Sequence, residues 1–137
     1  MNLILLSNIN IDPLKYELQN SKFENIDSSG FNQYMIELID PNSKINKNYY
    51  DVVFFHLDGD ELFDFTFNNN MFVFKQSLFD QFIEKLSNYS VNNPKTNIIV
   101  SGIYISSITT FNHLNSSVNI SLSDIQFSIN KKIKKIS

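Results

Sequence analysis

Three carboxylates fall within four residues at Asp58-Gly59-Asp60-Glu61, directly after the apolar run Val52-Val53-Phe54-Phe55-His56-Leu57. Carboxylates this close repel one another unless a cation or backbone amides intervene, and a divalent cation such as Mg²⁺ suits them by charge. Asp58 and Asp60 would be its ligands. Contiguous carboxylates at a strand end also serve as helix caps, which requires no metal. His56 lies inside the run beside this turn, where an imidazole could shuttle a proton; the plainer account is a core histidine bonded to a neighbour. His113, in Asn112-His113-Leu114, has no acidic or histidine neighbour in sequence. Two more small polar pairs close apolar segments: Ser7-Asn8 after Leu3-Ile4-Leu5-Leu6, and Ser29-Gly30 after the segment from Phe23 to Ile26.

The elements that must hold these residues follow from hydrophobic spacing. Leu3 to Leu6 is a continuous apolar run, which predicts a strand buried on both faces. Asp12-Pro13 supplies an N-cap and a proline at the first helical position, and Leu14 and Leu18 share one face of the helix behind it. A weaker strand is expected around Phe23 to Ile26. Phe31, Tyr34, Met35, Leu38 and Ile39 carry helical spacing, and Asp40-Pro41 ends that helix. Tyr50 to Leu57 holds the strongest strand signal, β-branched and aromatic. Leu78, Phe79, Phe82, Ile83 and Leu86 mark another helix, and Asn97 to Ile105 a fourth strand. The stripe Val118, Leu122, Ile125, Ile129, Ile133 and Ile136 predicts a long final helix. Between them, Phe63, Phe65, Phe67, Phe72 and Phe74 alternate as a strand or extended segment would, with Asn68-Asn69-Asn70 as a polar loop.

Strands alternating with amphipathic helices predict an α/β domain: a parallel sheet with helices on both faces, three layers of flavodoxin-like type, with strand order 2-1-3-4. In such sheets ligands bind beyond the carboxyl ends of the strands, where the strand order reverses. With strands one and three adjacent, Ser7 and Asn8 face Asp58, Gly59 and Asp60 across that point, and Ser29-Gly30 flanks them. These seven residues form the expected ligand crevice.

Bulk properties exclude several other classes. The chain has 137 residues, 42% of them hydrophobic and 14% aromatic, which suits one globular domain with its own core. A net charge of -3 argues against a nucleic-acid surface. The basic cluster Lys131, Lys132, Lys134 and Lys135 reads as the solvated end of the last helix. With no Cys there are no disulfides or thiolate metal sites, and a reducing compartment carries no cost. No run reaches the roughly 20 apolar residues of a membrane span, and the apolar start is too short for a signal core. A cytoplasmic protein is the expectation. Ala and Arg are absent while Asn, Ile, Lys and Phe abound, a bias of low-GC coding that discourages reading function into the Asn runs.

Three families share parts of this pattern. Phe54-Phe55-His56-Leu57-Asp58-Gly59-Asp60 resembles the first motif of haloacid-dehalogenase-type phosphatases, an apolar strand followed by Asp-x-Asp. That likeness implies Asp58 as nucleophile, Asp60 as acid/base and Mg²⁺ between them. Leu62 stands where the family usually has Thr or Val, and no later Lys and acidic pair completes the site. Against SGNH-type esterases, the Gly-Asp-Ser block aligns onto Leu6-Ser7-Asn8, which puts an amide at the nucleophile position. Asp60 then replaces an oxyanion-hole Asn, where a carboxylate would repel the developing charge. Ser7 could be an out-of-register nucleophile, but no Asp-x-x-His follows to activate it.

The broadest likeness spans most of residues 3 to 63. Leu5-Leu6-Ser7-Asn8, Gly30-Phe31-Asn32-Gln33-Tyr34, Glu37-Leu38-Ile39-Asp40-Pro41-Asn42-Ser43 and Asp51-Val52-Val53 leading to Leu57-Asp58-Gly59 resemble the N-terminal SGNH-like domain of FkbH-like proteins. The resemblance implies an accessory domain followed by a C-terminal haloacid-dehalogenase-type domain, of which residues 1–137 would be a truncated N-terminal portion. It also implies that the chemistry, glyceryl transfer to an acyl carrier protein or a related polyketide or surface-glycan step, belongs to that partner domain. An esterase or acyltransferase, or an Mg²⁺-dependent phosphatase using Asp58 and Asp60, is the alternative.

Overall fold

In the computed structural model the described residues are 1–59, 64–68, 71–75 and 77–101. Apolar runs become the inner strands. β1 (Asn2–Ser7) is buried from Leu3 onward, and β3 (Val52–His56) buries Val52, Val53 and Phe55. β2 (Asn25–Ser28) and β6 (Asn97–Val100) flank them, and all pairings are parallel in the order β2-β1-β3-β6. This is the expected order 2-1-3-4 for the parallel strands. An antiparallel pair, β4 (Asp64–Asn68) and β5 (Met71–Lys75), forms a separate two-stranded sheet between β3 and the next helix. Four of the alternating phenylalanines thus lie on this antiparallel pair, with Phe65 opposite Phe74 and Phe67 opposite Phe72, while Phe63 lies outside the described residues.

The helices are α1 (Asp12–Leu18), α2 (Tyr34–Ile39), α3 (Lys44–Lys47) and α4 (Ser77–Asn92). Handedness decides which face each covers. The step from β1 to β2 runs one way along the sheet, and the steps from β2 to β3 and β3 to β6 run the other way. Right-handed crossovers therefore place α1 on one face and the later helices on the opposite face. The cores agree. Leu3, Leu5 and Val52 pack with Ile11, Leu14 and Leu18 on the α1 side. Ile4, Leu6, Val53 and Phe55 pack with Tyr34, Leu38, Phe79, Phe82 and Leu86 on the other. Phe82 is the hub of that side, with edge-on rings against Phe55 at 5.4 Å and Tyr34 at 5.7 Å. Burying each such side chain contributes about 1.5–3 kcal/mol.

Several local expectations shift by a residue or a turn. Asp12 is the first helical residue and Ile11 the N-cap, while the Asp12 amide donates to the Asn10 Oδ1 at 3.0 Å. An Asx turn has taken the capping role. Phe31 lies outside α2 and is 68% exposed, because Asn32 adopts a left-handed φ of 57° and breaks the helical spacing before Tyr34. Ile99, on the same side of the sheet as Phe54, is 48% exposed on β6, the outermost of the described parallel strands. The fourth strand ends at Val100, and the expected final helix, His113 and the basic cluster lie outside the described residues. Among the described residues, no helix is long and apolar enough to cross a membrane.

Candidate functional site

The carboxyl ends of β1 and β3 meet where the strand order reverses, and two residues of the β1 end are spent there on the backbone of its neighbour. Asn8, 3% exposed, accepts from the Asp58 amide at 2.7 Å and donates through Nδ2 to the Asp58 carbonyl at 3.0 Å. This reciprocal pair holds the loops after β1 and β3 together, as one more rung of a ladder would. The Asn8 carboxamide is therefore a clasp. Gly59 is buried beside it, and Asp60 lies outside the described residues.

Ser7 is equally committed. It stands opposite His56 in the register, so both side chains leave the same face of the sheet. Its single hydroxyl proton goes to the His56 carbonyl at 2.6 Å, and its oxygen accepts the Ile9 amide at 3.0 Å. A serine nucleophile instead needs its proton directed at a base. The nearby imidazole lies over Phe54, with ring centres 6.1 Å apart and planes at 20°. Proximity of Ser and His has thus not produced a nucleophile–base pair.

An open cavity lies on the other side of β1. It measures about 380 Å³ and sits between the β1–α1 and β2–α2 loops. Ser7, Ser29 and Gly30 line it as the sequence suggests; Ile9, Asn10, Ile11, Asp12, Ser28 and Phe31 complete the wall. The β2–α2 loop is held to the sheet through the Ser29 amide on the Leu5 carbonyl and the Asn32 amide on the Ser7 carbonyl. Asn tolerates the left-handed backbone at position 32 better than most residues. The Ser29 Oγ is buried and has no hydrogen-bond partner among the described residues. Lys15 of α1 lies next to the wall, its Nζ 3.3 Å from the Ser28 Oγ.

Charges next to the cavity are arranged in a second network. Tyr50 donates to Asp27 Oδ2 at 2.8 Å, and Lys44 reaches Asp27 Oδ1 at 3.0 Å and the Ser28 carbonyl at 2.9 Å. Burial works to raise the Asp27 carboxyl, but the hydrogen bonds from Lys44 and Tyr50 outweigh it and hold it below its ordinary value. Burial, reinforced by that carboxylate, pushes the Tyr50 hydroxyl up to about 12. These groups fix the end of β2 rather than face a ligand. Glu37 is structural too: its buried carboxylate accepts the Ile45 amide at 3.3 Å at the start of α3.

The sequence placed Ser29 and Gly30 at the site but not Asn10, Asp12 or Phe31. Asn10 and Asp12 were legible as turn and helix-start residues, and the signal for Phe31 was masked by its helical spacing to Tyr34. No group of three or more potential metal ligands occurs among the described residues. Compared with known proteins, the chain matches no family model, no curated protein and no solved structure.

Proposed function

We propose that this chain is a non-hydrolytic binding and docking domain, of the kind that the resemblance to FkbH-like proteins implies. The observation that carries the reading is the Asn8–Asp58 clasp. The side chain at the expected nucleophile position spends its acceptor and a donor on the Asp58 backbone, and an amide cannot attack an ester. The adjacent Ser7 proton is directed at a carbonyl, which argues in the same direction. What remains is a preformed polar cavity beside the first strand, suited to holding a small molecule or part of one.

In this reading catalysis belongs to a C-terminal haloacid-dehalogenase-type domain acting on an acyl carrier protein, and Mg²⁺ is required by that domain and not by this one. The Cys-free composition suits work in the cytoplasm. The reading frame beyond residue 137 is a direct test. A following strand ending in Asp-x-Asp-x-Thr is the expected result. An Asp-x-x-His in its place, able to complete an esterase site, would overturn the assignment.

A further inference from the structure

We propose that the cavity between the β1–α1 and β2–α2 loops binds a neutral, hydroxyl-rich small molecule, a sugar or polyol whose C–H face lies on Phe31. The assignment rests on reading this cavity as a binding site.

Four features of the cavity point to that class. The first is the Ser29 hydroxyl, buried in the wall without a partner. A χ1 rotation that turns this hydroxyl into the cavity would let a ligand hydroxyl relieve the cost of leaving it unpartnered, because each can donate and accept. Second, the remaining polar groups are mixed. Asn10 uses its Oδ1 on the Asp12 amide, which leaves its NH₂ to donate. Ser28 accepts from Lys15 and keeps its own proton to give, while the Asp12 carboxylate can only accept. A ligand with several hydroxyls can meet both kinds; a pure acceptor or pure donor cannot.

Third, the charges cancel. Asp12 is in the wall and Lys15 stands next to it, bonded to a neutral hydroxyl. An oxyanion would be drawn to Lys15 but would face the Asp12 carboxylate, and a cation would meet the opposite conflict. A neutral ligand escapes both. Fourth, Phe31 is 68% exposed at the mouth, on a loop fixed by the Asn32 amide bond to the Ser7 carbonyl. An exposed ring offers an apolar platform with a negative face, to which the C–H groups of a sugar are attracted. The volume of about 380 Å³ lies at the lower end of small-molecule sites.

The test is a titration of the ¹⁵N-labelled chain with methyl glycosides, linear polyols and inorganic phosphate, followed through the amide shifts of Ser29, Gly30 and Asn32. At least one glycoside or polyol is expected to shift these amides saturably, with phosphate giving no saturable shift. Phe31→Ala, at an exposed position, should weaken that binding roughly tenfold or more, and Ser29→Ala several-fold. The proposal is overturned if no sugar or polyol moves these amides at tens of millimolar, or if phosphate alone saturates them. It is equally overturned if sugar binding survives Phe31→Ala unchanged. Ester or phosphate turnover by the chain would sink the non-hydrolytic reading while leaving this binding result intact, so the two failures are separable.

Discussion

Removing the Asn8 side chain tests the clasp that closes the switch point of the sheet. In Asn8→Ala both hydrogen bonds to the Asp58 backbone disappear, at a position that is 3% exposed. Each such bond contributes about 0.5–1.5 kcal/mol net, and the loss of the two together sets the effect. The expected destabilisation is therefore ~2 kcal/mol, or a fall in Tm of about 6–10 °C for a domain of this size. Urea unfolding followed by far-UV circular dichroism measures it, with an unchanged slope showing that the unfolded state is not altered. Asn8→Asp sharpens the test. It keeps an acceptor for the Asp58 amide, but it loses the donor and sets a carboxylate against the Asp58 carbonyl. It should be at least as destabilised as Asn8→Ala at neutral pH. A loss below about 0.5 kcal/mol in both variants, within the range of ordinary surface substitutions, would refute the clasp.

Three other outcomes are expected. Ser29→Ala removes a buried hydroxyl that has no partner among the described residues, so unfolding should show unchanged or slightly greater stability, by up to ~1 kcal/mol. Tyr34 and Tyr50 are each pushed up to about 12 by burial, with Asp27 contributing at Tyr50, whereas the unfolded chain loses those protons near its ordinary value of 10.0. Their contribution is complete below about pH 10 and falls as pH rises through about 12; urea midpoints across that range should drop less steeply in Tyr34→Phe. The Asp27 carboxyl is lowered from its ordinary value of 3.8, so its contribution is present above that value and lost as pH falls below it. Lys44→Met should move the Asp27 titration upward by NMR, since it removes both a hydrogen bond and a charge.

The sheet was legible from the chain because its signals are local. Leu3 to Leu6 and Val52 to Phe55 are too apolar to be wetted on either side, and the alternation with helices left one economical order of strands. Helix boundaries were less legible. The Asx turn at Asn10 moved the cap of α1 away from Asp12, and the left-handed Asn32 removed Phe31 from a stripe that spacing alone had assigned to α2. The site was legible in part for a related reason. Topology puts Ser7, Asn8 and Asp58 at one end of the sheet, but spacing does not tell where a hydroxyl proton points or that an amide is spent on a neighbouring backbone. Those facts depend on contacts about fifty residues apart in the chain. They make a clasp of Asn8 and Asp58 at the β1/β3 junction, and an open cavity lies on the β2 side of β1.

The central claim is that this domain binds and does not hydrolyse. Its most direct test is turnover of p-nitrophenyl acetate and p-nitrophenyl phosphate by the purified chain, with and without Mg²⁺, beside Ser7→Ala and Asp58→Asn. The account predicts rates indistinguishable from buffer for all three proteins under every condition. Saturable turnover by the wild-type chain that is lost in Ser7→Ala or Asp58→Asn would contradict it.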